Sequence, residues 1–189
     1  MHRSMSVQHA TCTDKQRYQP RRARSQGPPF ILCVGLCRTH DNFFYQADGF
    51  KMDFGGHDSI FSSNVVIVRP YDGQNCQNMW SFVPGHQDIL YNNTCIIMHQ
   101  NNPQDVNMVL NQNDGDVCDG GPSSAILYNN RYYTRDGNAS VICGGNAYGT
   151  TIVDLREKYP HFERGSTMGK LSDITAEFVI QLGRDVLHM

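Results

Sequence analysis

The chain has no apolar run long enough to cross a bilayer. The longest, residues 30–36 (FILCVGL), falls far short of the roughly 20 residues that a spanning helix needs. A strong charge of either sign is missing too. Charged residues make up 18% of the 189, and the net charge of -2 creates no global basic field for nucleic acid. Heptads do not persist and glycine has no three-residue period, which excludes coiled coil and collagen. A glycine-rich phosphate loop, a G-x-S-x-G elbow and an H-E-x-x-H pair are all absent, and with them the chemistries they serve. What is left, at 39% hydrophobic content, is one domain with a real core.

Asparagine divides the chain. All 15 Asn lie between Asn42 and Asn146, and neither flank contains one. Residues 1–29 hold six Arg and Lys against the single Asp14, with almost no aliphatic side chains. That composition buries too little surface to offset chain entropy and predicts a disordered basic tail without the pattern of a secretory signal.

The middle segment repeats. Gly56-His57-Asp58-Ser59-Ile60, continuing through Asn64 to Val68, aligns without gaps on Gly85-His86-Gln87-Asp88-Ile89, 29 residues later. The string Ile89-Leu90-Tyr91-Asn92-Asn93 then recurs as Ile126-Leu127-Tyr128-Asn129-Asn130. Periods of 20–50 residues mark solenoids or propellers. Paired Asn, β-branched neighbours and frequent Gly disfavour helix and favour short strands joined at sharp bends, where Asn tolerates a left-handed backbone. Identical residues one repeat apart would stack at the spacing of neighbouring strands, about 4.8 Å, so Asn amides can bond in a ladder. The pattern predicts an all-β fold, a parallel β-helix over residues 30–150.

This G-H-x-D-I-x-x-N-N-x-I grammar resembles the right-handed parallel β-helix superfamily, the pectin-lyase-like fold. The string from Ala47 to Asp58 (ADGFKMDFGGHD), the P-G-H-x-D-x-x-Y-N-N-T-C unit and the later Gly165-Ser166-Thr167 segment are similar to β-helix-repeat proteins of marine animals. The resemblance covers roughly residues 40–189 and implies the fold, extracellular residence and carbohydrate as the ligand class. In that superfamily, glycosidases use paired carboxylates, and lyases use carboxylate-bound calcium with an Arg or Lys base. The chain departs from the polygalacturonase-like pattern, since Gly56-His57-Asp58 stands where Gly-His-Gly is expected and the Asp-Asp and Arg-x-Lys elements are absent.

Residues 151–189 read as a helical cap. Residues 154–159 (DLREKY) predict a short helix, and Ser172-Asp173 a second one with an apolar stripe of Ile174, Phe178, Val179, Leu182 and Val186. This amphipathic helix is expected to cover the open end of the β-helix, with the other end unprotected and further N-terminal coils expected. Of seven Cys, Cys76, Cys95, Cys118 and Cys143 fall inside the repeats and permit two disulfides in three connectivities. Asn92-Asn93-Thr94 and Asn138-Ala139-Ser140 are glycosylation sequons. The first overlaps the expected ladder, where an inward side chain argues against its use.

Three clusters could carry chemistry. His57, Asp58, His86 and Asp88, with Asp53 nearby, offer a general base and an orienting carboxylate, or a shared cation. The same residues read equally as turn caps between repeats. Tyr91 and Tyr128 at equivalent repeat positions, with Trp80, would form a platform for sugar rings, and Lys51 and Arg69 are the nearby cations. Residues 111–121, with Asp114, Asp116 and Asp119, form an oxygen-rich loop that could hold Ca2+ but does not match an EF-hand. The expected function is an extracellular protein that binds an acidic polysaccharide and has the groups to cleave it, as a lyase or glycoside hydrolase. The alternative is a non-catalytic structural or adhesion module. Neither nucleic acid nor a membrane span is implied, and no feature sets an oligomeric state.

Overall fold

The computed structural model describes residues 10–12, 37–45, 49–52, 57–68, 76–79, 85–98, 108–110, 125–143 and 150–189. The chain is mostly β, with parallel sheets and two helices. After β1 (Ala10–Cys12), strands follow in short steps: β2 (Cys37–His40), β3 (Phe43–Tyr45), β4 (Phe50–Met52), β5 (Ile60–Ser62), β6 (Val65–Val68) and β7 (Gln77–Met79). The same steps continue through β8 (Ile89–Tyr91), β9 (Thr94–Ile97), β10 (Met108–Leu110), β11 (Ile126–Tyr128), β12 (Arg131–Thr134) and β13 (Ser140–Cys143). The short β14 (Thr150–Thr151) leads into α1 (Ile152–Lys158), and β15 (Thr167–Lys170) precedes α2 (Ala176–Leu187).

Every third strand pairs. The first sheet runs β1-β2-β5-β8-β11, the second β15-β12-β9-β6-β3 and the third β14-β13-β10-β7-β4. All pairings are parallel except the two that end a sheet, β1 on β2 and β14 on β13. Equivalent residues of the sequence repeat are register partners, as in Ile60↔Ile89 and Ile89↔Ile126.

One core serves all three sheets. Phe61, from the first, is 1% exposed and its ring lies 5.9 Å from Phe44 of the second and 5.4 Å from Phe50 of the third. Successive residues of a strand point to opposite faces, so only alternate positions enter this core. In the first sheet these are Phe61, Leu90 and Leu127; in the second, Phe44, Val66, Cys95 and Tyr132. A disulfide joins Cys76 to Cys95, and its 19-residue loop stabilises the fold by about 3 kcal/mol through chain entropy. Cys37 is also disulfide-bonded.

The Asn ladder exists. Asn42 Nδ2 donates to Asn64 Oδ1 at 3.0 Å, Asn64 to Asn93 at 3.1 Å, and Asn93 to Asn130 at 3.1 Å. Each acceptor oxygen also takes the backbone N–H of the preceding rung. The left-handed residue is the one before each rung, namely Asp41, Ser63, Asn92 and Asn129, with φ between 54° and 55°. In each Asn-Asn pair, then, the first residue makes the bend and the second makes the ladder. The ladder ends on Glu163, fully buried, which accepts from Asn130 Nδ2, Ser166 Oγ and Tyr132 Oη.

Four expectations need correction. The amphipathic stripe is real, but α2 does not cover an open end. It crosses the outside of the second sheet, where Leu182, Phe178 and Val186 pack on Val65, Ile67 and Ile96. All four residues of β6, and all four of β9, are buried, one face by the core and the other under this helix. It is α1 that reaches the main core, through Ile152 and Leu155. The cap of α2 is also displaced: Thr175 accepts from Phe178 N, while residues 171–173 form a separate 3-10 turn.

Strands extend past residue 150, because β15 completes the second sheet beside β12. The tail, finally, contributes β1, antiparallel to β2. Backbone pairing at a sheet edge needs no aliphatic side chains, so composition alone does not reveal it.

Candidate functional site

His57 and Asp58 lie just before β5, and His86 just before β8. Because Ile60 and Ile89 are register partners, the two histidines fall one above the other, with ring centroids 4.0 Å apart. Asp58 adopts a left-handed conformation (φ 56°), and its carboxylate meets both rings: Oδ2 lies 2.9 Å from His57 Nδ1 and 2.6 Å from His86 Nδ1. A carboxylate oxygen only accepts, so in this arrangement both rings carry their proton on Nδ1. Oδ1 accepts from Gln87 N at 3.3 Å. The three side chains are each about one-third exposed, so the cluster is anchored at its base and open to solvent.

The two carboxyl groups of this corner differ. Hydrogen bonds from His57 and then His86 hold Asp58 well below the ordinary range, at about 2. Asp88 is only 2% exposed and accepts from Ser59 N at 2.9 Å, and burial pushes it up to about 6. Unequal carboxyl groups side by side are what acid–base chemistry requires. A plainer origin exists for part of the arrangement. His40 Nδ1 contacts Asp41 Oδ2 at 2.7 Å, and Asp41 is left-handed too. A His-Asp pair at a bend therefore makes this contact on its own. The arrival of His86 is what distinguishes the corner at Asp58.

On the same sheet, Tyr91 ends β8 and Tyr128 ends β11. They are register partners, with rings stacked at 5.0 Å and 1° from parallel. The column continues in both directions: Ser62 and His40 on one side, Arg164 on the other through a parallel bridge to Tyr128. Arg164 is exposed and is a residue that sequence reasoning missed. Its signal was the 36-residue step from Tyr128, close to the preceding interval of 37. A groove of about 540 Å3 runs elsewhere, between α2 and the row of left-handed bends. Its charged lining is mixed, with Asp41 and Asp185 beside Arg131.

Of the other expected site residues, one is described, and it lies elsewhere. The backbone of Lys51 lies in the third sheet, opposite Asn78. Asp53, Arg69, Trp80, Asp114, Asp116 and Asp119 lie outside the described residues. The calcium that the superfamily resemblance implies does not suit the cluster at Asp58, since Ca2+ takes six to eight oxygens and two of these three side chains are imidazoles. The sequon residue Asn92 is exposed, and it is its neighbour Asn93 that is buried in the ladder, which removes the objection to glycosylation there. Among the described residues no helix is long and apolar enough to cross a membrane. No protein-family model, curated protein or solved structure matches this chain.

Proposed function

We propose that the chain is an extracellular, right-handed parallel β-helix that binds an acidic polysaccharide across its first sheet. The rotation of strands through three sheets that share one core supports the solenoid, and parallel crossovers in one sheet are right-handed in nearly all proteins. Disulfides at Cys37 and between Cys76 and Cys95 support an oxidising compartment.

The observation that carries the ligand class is the column Tyr91–Tyr128–Arg164. The two parallel rings, stacked at 5.0 Å, leave their outer faces and edges to pack against the C–H faces of sugar rings. A guanidinium at the end of that surface matches a uronate carboxylate. The His57–Asp58–His86 corner lies at the other end of β8, within about 16 Å of extended chain from Tyr91. Cleavage is a further capacity of the same face, supported by the unequal Asp58 and Asp88. The second reading is a non-catalytic structural module, favoured by the independent His40–Asp41 contact.

The test is binding of the purified protein to a panel of uronic-acid and neutral polysaccharides, with new reducing ends and unsaturated products monitored in parallel. Uronate-selective binding that weakens at least about tenfold in Tyr128→Ala, or ~1.4 kcal/mol, is expected. Product formation lost in His57→Ala would add the enzyme. Folded protein that binds nothing on the panel, or binding that ignores Tyr128→Ala, would leave the structural module.

A further inference from the structure

We propose that His57, Asp58 and His86 form a binding site for a zinc-class divalent cation, with one coordination position open to solvent. The nitrogen and oxygen atoms that these side chains offer lie within 4.8 Å of one another. Metal bonds of about 2.0–2.1 Å set tetrahedral ligand atoms roughly 3.3 Å apart, a spacing reached here by small rotations of exposed side chains.

The donor set decides the metal. Two imidazoles and one carboxylate suit Zn2+ and its neighbours, whereas Ca2+ and Mg2+ prefer oxygen alone. Three protein ligands with a free fourth position is the pattern of reactive zinc sites rather than closed structural ones.

The backbone presents these ligands without help from a metal. Asp58 is held left-handed, its Oδ1 takes the Gln87 N–H, and Gly85 turns at φ 84° immediately before His86. Asp88, buried behind them on the Ser59 N–H, places a second carboxyl group in the corner. Local sequence makes the His40–Asp41 contact, but only the register of β5 with β8 brings a second imidazole onto the same carboxylate oxygen. An imidazole that gives the metal its Nδ1 lone pair carries its proton on Nε2, so binding exchanges the hydrogen bonds to Asp58 for bonds to the metal. This site does not depend on the polysaccharide reading, because it is measured with the metal alone.

The experiment uses full-length, tag-free, disulfide-intact protein after dialysis against a chelator. Zn2+ is titrated in competition with a chromophoric chelator, and Co2+ binding is followed by visible absorption. The expected result is one Zn2+ per chain at this site, with affinity reduced at least tenfold in His86→Ala and in Asp58→Asn, and unchanged in His40→Ala. Near-ultraviolet circular dichroism checks the fold of each variant. His86→Gln, which keeps side-chain bulk, repeats the test if the alanine variant unfolds. Zn2+ binding that is undetectable, or indifferent to His86 and Asp58, overturns the proposal. So does Ca2+ binding at the corner as tightly as Zn2+.

Discussion

Asn93→Ala should be among the most damaging single substitutions in this chain. The side chain is fully buried and makes four hydrogen bonds. Its Nδ2 donates to Phe61 O at 2.9 Å and to Asn130 Oδ1 at 3.1 Å, and its Oδ1 accepts from Asn64 N at 3.0 Å and Asn64 Nδ2 at 3.1 Å. Each bond contributes about 1 kcal/mol, and the Asn64 N–H is left in a dry interior with no acceptor from this rung, so a loss of about 3–5 kcal/mol is expected. The adjacent Asn92 is the control, being exposed and left-handed. Asn92→Ala should cost only the backbone preference, about 1 kcal/mol. Urea unfolding of oxidised protein measures both, and the Asn93→Ala midpoint should fall by more than about 1 M. An Asn93→Ala variant within about 1 kcal/mol of the parent, or no worse than Asn92→Ala, would refute the ladder as a source of stability.

Further expectations follow from the buried carboxyl groups and the bends. Asp88 is raised from 3.8 to about 6, so the folded state binds its proton more tightly than the unfolded state. Its stabilisation is full below about pH 4 and is lost as pH rises through 6, a change of about 3 kcal/mol that Asp88→Asn should flatten in unfolding midpoints measured from pH 4 to 8. Glu163, whose burial raises its pKa, should tolerate Gln and not Ala. In Glu163→Gln the amide oxygen still accepts from Asn130 and Ser166, and its NH2 can donate to Tyr132, whose hydroxyl turns to Gln77 Oε1. Glu163→Ala strands those donors and should lose about 3 kcal/mol or more in the same unfolding assay. Ser63 holds φ 55° where the next two units use Asn, so Ser63→Asn should stabilise by about 0.5–1 kcal/mol, visible as a higher thermal midpoint.

Much of the stacking was legible because the repeat is written in identical letters. A gapless alignment placed His57 over His86, Asn64 over Asn93 and Tyr91 over Tyr128, and each pair is in contact. The ladder's ends were not legible. Asn42 stands 22 residues before Asn64 rather than 29, and Glu163 is a different residue type altogether. A repeat is recognised by identity, whereas the last amide demands only an acceptor. The stripe of α2 was readable from its period, but not its partner: a stripe states that an apolar surface is needed without saying which. The partner's signal was present in β6, whose four residues Val-Val-Ile-Val leave no polar face for water. Arg164 escaped because it shares no residue type with Tyr91 or Tyr128, and it joins the Tyr column only through register.

The ladder has a direction, and that constrains how such a chain can grow. Every amide gives one proton to the next rung on the C-terminal side and the other back to a backbone carbonyl, and Glu163, an acceptor at both oxygens, closes the series. Copying one internal unit, for instance the 29 residues from Asn64 to Asn92, leaves each new rung with a donor below and an acceptor above. A rung added after Glu163 would find no proton offered to it from that carboxylate. Lengthening by duplication is therefore open in the interior and closed at the terminator, so lineages of this architecture should differ in the number of middle units while keeping one acidic finish.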